Sequence, residues 1–210
     1  MIILFDLDGT LIDSTDAILH CFANSFEKAG LEKRDDEKVK SLIGYPLDIM
    51  YSELGVEEGR VWEMVDLYKS CYRKISKQMT TMLPFAKEAI EEASKFARLG
   101  IVTTKTARYS RELLEHMEVM DYFEVLVGRE DVQNPKPHPE PIQKALEKMG
   151  DFEGKKIFMI GDTKLDLICA KDAGVVGVGV RCGYGEDSEL REYSEFVYGD
   201  SLEAVKQIKV

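Results

Sequence analysis

Two carboxylates, Asp6 and Asp8, close an apolar run at the amino end of the chain, Ile2-Ile3-Leu4-Phe5-Asp6-Leu7-Asp8-Gly9-Thr10-Leu11. Acids two positions apart leave a strand on the same side, because side chains alternate along it. They repel each other there, so a metal ion, a shared proton or a bound cation is expected beside them. Gly9 permits a backbone conformation that other residues resist, and breaks the strand. Three more stretches place polar groups behind an apolar strand or in a stiff loop. They are Thr103-Thr104-Lys105, the run Asn134-Pro135-Lys136-Pro137-His138-Pro139-Glu140-Pro141, and Gly161-Asp162-Thr163-Lys164-Leu165-Asp166. A lone aspartate at a strand end is more often a helix cap than a catalyst. Four such positions in succession are hard to obtain from capping alone.

The elements that must carry these residues can be read from hydrophobic spacing. Ile2 to Phe5 is apolar throughout, as in a parallel strand covered on both faces. From residue 84 onward strands and helices alternate. Strands are predicted at Leu99–Val102, Phe123–Val127, Ile157–Ile160, Val175–Val180 and Phe196–Tyr198. The helix opening at Pro84 has Phe85, Ala89, Ala93, Phe96 and Ala97 as its apolar face. Others are expected around Ser110–Met117, after the prolines with Ile142, Ala145, Leu146 and Met149 inward, up to Gly174, and at the carboxyl end. This alternation means βαβ units and a parallel sheet with right-handed crossovers, whose ligand crevice lies beyond the carboxyl ends of the strands. Between Asp13 and Met82 no convincing strand is seen. A helix near Asp16–Ala29, capped by Ser14 or Thr15, has Ile18, Leu19, Phe22, Ala23 and Phe26 on one face. A charged helix start at Glu32–Lys40 and a Gly44-Tyr45-Pro46 turn come next. A long amphipathic helix over Glu57–Ser76 turns Val61, Val65, Tyr68, Tyr72 and Ile75 inward. The fold class is therefore α/β, a Rossmann-like doubly wound parallel sheet. Its core is formed by residues 1–14 and 82–210, with a helical unit, 15–81, inserted after the first strand.

Composition bounds the function. With 44% hydrophobic and 32% charged residues among 210, the chain is that of a folded globular protein. A formal net charge of −11 argues against a nucleic-acid or anionic-membrane surface. A small phosphorylated substrate remains compatible if a metal and a lysine reverse the field locally. Cys21, Cys71, Cys169 and Cys182 are scattered, without CxxC pairing, which fits reduced thiols. No signal peptide is visible and no run reaches the roughly 18 to 20 apolar residues of a membrane span. A cytoplasmic protein is expected.

In its four polar stretches the sequence resembles the haloacid dehalogenase superfamily, and within it the phosphatases with a helical cap between first and second motifs. The DxDGT motif stands as Asp6-Leu7-Asp8-Gly9-Thr10, the strand-end Thr-Asn-Lys of many members as Thr103-Thr104-Lys105, KPxP as Lys136-Pro137-His138-Pro139, and GDxxxD as Gly161 to Asp166. Thr104 departs from the usual asparagine. The resemblance implies that Asp6 is a nucleophile forming an aspartyl-phosphate. It makes Asp8 the general acid to the leaving alcohol and then the base for water. It implies Mg²⁺ held by Asp6, the backbone carbonyl of Asp8, and Asp162. Asp166 lies outside that ligand set and orients a ligand or Lys136. Thr103 and Lys136 hold the phosphoryl oxygens, with Thr104 in the usual asparagine's place. The cap, 15–81, closes over the site and supplies leaving-group contacts, with the Gly44-Tyr45-Pro46 loop as their best candidate.

The expected function is a Mg²⁺-dependent phosphatase of small phosphomonoesters, similar to phosphoglycolate phosphatases, acting on a phosphorylated metabolite as a monomer or homodimer. Within the superfamily, a β-phosphoglucomutase-like phosphotransferase is disfavoured because the cap glycine here precedes Tyr45-Pro46 rather than arginine. A pyrophosphatase stays open, and dehalogenases lack the acid at Asp8. A phospho-accepting signalling domain shares Asp, Thr and Lys at strand ends, but is smaller and lacks the DxDGT spacing. A silent binding protein would normally have lost Asp6, Asp8, Lys136 or Asp162.

Overall fold

Ile2–Phe5 form strand β1, and all four residues are wholly shielded from solvent. The computed structural model describes residues 1–209 and divides into two compact units, Met1–Asp13 with Met82–Val210, and Ser14–Thr81. Two-residue strands, β2 (Ile12–Asp13) and β3 (Thr81–Met82), stand where the chain leaves and rejoins the first unit.

The second unit is helical: α1 (Thr15–Lys28), α2 (Asp36–Lys40), α3 (Leu47–Glu53) and α4 (Val61–Ile75). Asp35 caps α2 by accepting the Lys38 N–H at 3.1 Å. A 3₁₀ turn at Glu58–Arg60 leads into α4, so the long helix begins later than its periodicity suggests. The aromatic stripe fills the core of this unit. Phe22 meets Tyr51 at 4.7 Å and Tyr68 at 5.1 Å between ring centres, and the Tyr51 hydroxyl shares a 2.6 Å hydrogen bond with Ser25. His20 lies exposed on α1.

In the first unit, β4 (Arg98–Val102), β5 (Phe123–Val127), β6 (Ile157–Gly161), β7 (Val176–Val180) and β8 (Val197–Tyr198) join β1 in a six-stranded parallel sheet. Its order is β5-β4-β1-β6-β7-β8. Register fixes where the polar groups emerge. Phe5 lies opposite Ile101 of β4 and Ile160 of β6, so the three central strands end nearly level. Asp6, Thr103 and Asp162, just past those ends, therefore leave the sheet side by side.

Helices α5 (Ala86–Ser94), α6 (Ala107–His116), α7 (Glu140–Met149), α8 (Lys164–Asp172), α9 (Asp187–Tyr193) and α10 (Ser201–Ile208) flank the sheet. Ile2 and Leu4 share one core with Ile142, Ala145 and Leu146 of α7 and Cys169 and Ala170 of α8. Ile3 and Phe5 point to the opposite face and are equally buried, so both faces are covered. Three readings need correction. Pro84 precedes α5 instead of opening it, and Phe85 takes a left-handed φ of 64° that turns it outward, 54% exposed. The inner face of α5 is Ala86, Ala89, Ile90 and Ala93. Neither β3 nor α9 is visible in the spacing: β3 has two residues, and α9 buries Leu190 alone.

Candidate active site

Asp6, the residue after β1, is 4% exposed, and its Oδ1 lies 2.8 Å from the Lys136 ammonium. Lys136 reaches it from the proline-rich loop, which places the ammonium under the sheet's carboxyl edge. The same Nζ donates to Asp166 Oδ1 at 2.5 Å and to the Val102 carbonyl at 3.2 Å. Asp166 serves two structures at once. Its other oxygen accepts from the Thr163 hydroxyl at 2.7 Å and the Thr163 N–H at 3.1 Å, a capping box that starts α8. Asp162, at the end of β6, is fully buried and each of its oxygens has a donor. The Thr10 hydroxyl lies 3.0 Å from Oδ1 and the Tyr184 N–H 2.8 Å from Oδ2.

Glycines make room for Asp162. Gly9 has φ 81°, and a Cβ there or at Gly183 would run into the Asp162 carboxylate. Among the described residues, Asp6, Asp162 and Asp166 bring one carboxylate oxygen each within 4.8 Å of one another. Burial is the main force raising Asp6, to about 7, with Asp166 and Asp8 adding to it and Lys136 opposing it. Burial, then Asp6 and Asp166, hold Asp162 well above the usual carboxylate range. Lys136 keeps its proton: burial disfavours the charge, but Asp166 and Asp6 overcome it and push its pKa up. Three buried acids against one ammonium, all with hard oxygen donors, suit a divalent cation such as Mg²⁺.

The remaining candidates surround this cluster. Asp8 is half-buried and paired through both oxygens with Lys105 at 2.9 Å each. The two acids of the opening motif thus face different ammonium groups. Thr103 is buried at the end of β4; its N–H donates to the Val127 carbonyl at 3.0 Å and its hydroxyl accepts the Lys105 N–H at 3.2 Å. That hydroxyl keeps its own hydrogen for a further acceptor. Thr104 comes next, half-buried. His138 is exposed, and its Nδ1 accepts the Glu140 N–H at 3.1 Å at the start of α7, a structural role.

Sequence reasoning gives no role to Thr10, Gly183 or Tyr184, and leaves Lys105 open between a substrate contact and a place near a helix start. Thr10 sits in the DxDGT motif, so a signal existed. Tyr184 contributes a backbone amide, which any residue supplies, and nothing in its side chain announces it.

Residues 3–180 match the family described as haloacid dehalogenase-like hydrolase. A pyrophosphatase, PpaX, of Bacillus velezensis is 33% identical over 85% of this chain and 82% of its own length. A phosphoglycolate phosphatase of Yersinia pseudotuberculosis is 29% identical over 87% of this chain and 81% of its own. Among solved structures, a haloacid dehalogenase-like hydrolase of Streptococcus pneumoniae superimposes with a TM-score of 0.88 at 27% identity. That superposition covers 99% of this chain and 97% of the other. The family match runs through all four polar stretches, from Asp6 to Asp166, and the chain belongs to the haloacid dehalogenase-like hydrolases.

Proposed function

We propose that this protein is a Mg²⁺-dependent phosphatase of small phosphomonoesters that works through an aspartyl-phosphate. One observation carries the reading: the buried Asp6 lies 2.8 Å from Lys136, inside a group of three acids whose oxygens come within 4.8 Å of one another. Asp6 attacks phosphorus, and the bond from phosphorus to the leaving oxygen breaks as Asp8 gives that oxygen a proton. Water then attacks the aspartyl-phosphate, Asp8 takes its proton, and Asp6 and inorganic phosphate are restored. Lys136 and the Thr103 hydroxyl hold the phosphoryl oxygens, the ammonium offsetting their charge, with Thr104 beside them. Lys136 is kept charged and aimed by Asp166. Asp6, Asp162 and the Asp8 carbonyl would hold Mg²⁺, with Asp166 supporting the set. When bound, Mg²⁺ supplies positive charge that lets the Asp6 carboxylate and a phosphate dianion approach each other.

The helical unit, Ser14–Thr81, is the proposed cap, and its Gly44-Tyr45-Pro46 loop the proposed source of leaving-group contacts. The proposed setting is the cytoplasm, as a monomer or homodimer. Among the described residues no helix is long and apolar enough to cross a membrane. Similarity to the B. velezensis enzyme supports a second reading, pyrophosphate hydrolysis. Turnover of p-nitrophenyl phosphate is expected with Mg²⁺ and not after chelation, and Asp6→Asn is expected to abolish it with the fold intact. Wild-type turnover in Asp6→Asn would remove the nucleophile. A panel of phosphoglycolate, sugar phosphates, nucleotides and pyrophosphate, ranked by kcat/KM, separates the two readings.

A further inference from the structure

Lys136 pairs with Asp6 and Asp166, Lys105 pairs with Asp8, and Lys105 has no part in the proposed reaction. Its ammonium donates to both oxygens of Asp8 at 2.9 Å, with side chains 10% and 13% exposed. The backbone of Lys105 is braced on both sides. Its N–H donates to the Thr103 hydroxyl at 3.2 Å, and its carbonyl accepts the Arg129 N–H at 3.0 Å. Gly128 lies so close to that carbonyl and to the backbone of Ala107 that a Cβ would not fit. The Gly128 N–H is in turn held by Asp131 at 2.9 Å. A largely desolvated lysine on a pinned loop, grasping both oxygens of one acid, differs from a surface pair that forms and breaks in water.

We propose that Lys105 is a positioning residue for Asp8. It keeps this carboxylate away from Lys136 and from the Asp6–Asp162–Asp166 cluster, and holds it toward the leaving-group oxygen. The physical need is plain. A carboxylate two residues from Asp6 is attracted to any cation bound among the three acids, and to Lys136. Captured there, it becomes one more ligand and is lost to proton transfer. A second ammonium, paired with both Asp8 oxygens, balances that pull. The inference rests on the reading of Asp8 as the group that protonates the departing alcohol: one Asp8 oxygen carries that proton while the other keeps the Lys105 ammonium.

The test compares kcat/KM for an alkyl and an aryl phosphate, since this ratio reports the steps up to departure of the leaving group. Nitrophenolate leaves as a stabilised anion and gains little from a proton donor, whereas an alkoxide depends on one. The probes are p-nitrophenyl phosphate and the most active alkyl phosphate of the substrate panel. Lys105→Met is expected to lose about 10- to 100-fold more on the alkyl substrate than on the aryl one, part of the ~10²–10⁴ that such proton transfer supplies. Lys105→Arg, whose fork can hold both oxygens, is expected to recover most of the loss. Asp8→Asn, run in parallel, gives the full bias. Equal loss on both substrates in Lys105→Met, or no loss, overturns the role of Lys105 while leaving Asp8 in place if Asp8→Asn remains biased. An unbiased Asp8→Asn overturns both. If methionine unsettles the fold by circular dichroism, Lys105→Gln, polar and uncharged, takes its place with the same two outcomes.

Discussion

At Asp162 each oxygen has one donor, the Thr10 hydroxyl or the Tyr184 amide, and the glycines at 9 and 183 close in on it. A methyl group at Gly183 has nowhere to go without moving the carboxylate. Gly183→Ala is therefore expected to cut turnover of p-nitrophenyl phosphate by about 100-fold, the usual cost of misplacing a catalytic group by about an ångström. Circular dichroism should show an unchanged fold, because Gly183 lies on an exposed loop. The acids and Lys136 were legible in the sequence because their chemistry is carried by side-chain type and by regular spacing. The Tyr184 amide was not, nor was the pairing of Lys105 with Asp8, since residues 97 apart meet only through the fold.

Strand order explains why residues so distant in the chain share one site. β4, β1 and β6 are neighbours at the centre of the sheet and end nearly level, so the loops leaving their carboxyl ends converge. The central strand bears the packing as well. Leu4 is fully buried and lies in the core that α7 and α8 close. Leu4→Ala is expected to cost about 2–5 kcal/mol, read from the midpoint of a urea transition at unchanged slope. Strands were visible in the sequence as apolar runs because both sheet faces are covered. Spacing failed where apolar residues are few, as in α9, and where one backbone angle overrides the pattern, as at Phe85. A left-handed φ at a phenylalanine has no signature in composition.

For the whole molecule, the acids couple folding to protons and, on the proposed reading, to cations. Burial raises Asp6 to about 7, and Asp162 is held high as well, from ordinary values near 3.8. Acids whose folded pKa exceeds the unfolded one bind protons on folding. Their contribution is complete below the unfolded value and is lost as pH rises through the folded one. The chelated protein is thus expected to melt at progressively lower temperature from about pH 4 to above pH 7. Mg²⁺ at neutral pH should restore the loss, by about 2.7 kcal/mol at 100 times its dissociation constant. Melts that neither fall with pH nor respond to Mg²⁺ would contradict the three-acid site. Residues 10 and 201 are tied to this site too. The Ser201 hydroxyl donates to the Thr10 carbonyl at 2.7 Å, and the Thr10 hydroxyl donates to Asp162. The proposed nucleophile therefore acquires its surroundings only through tertiary folding, when residues 162, 166 and 201, remote in sequence, close around the first strand.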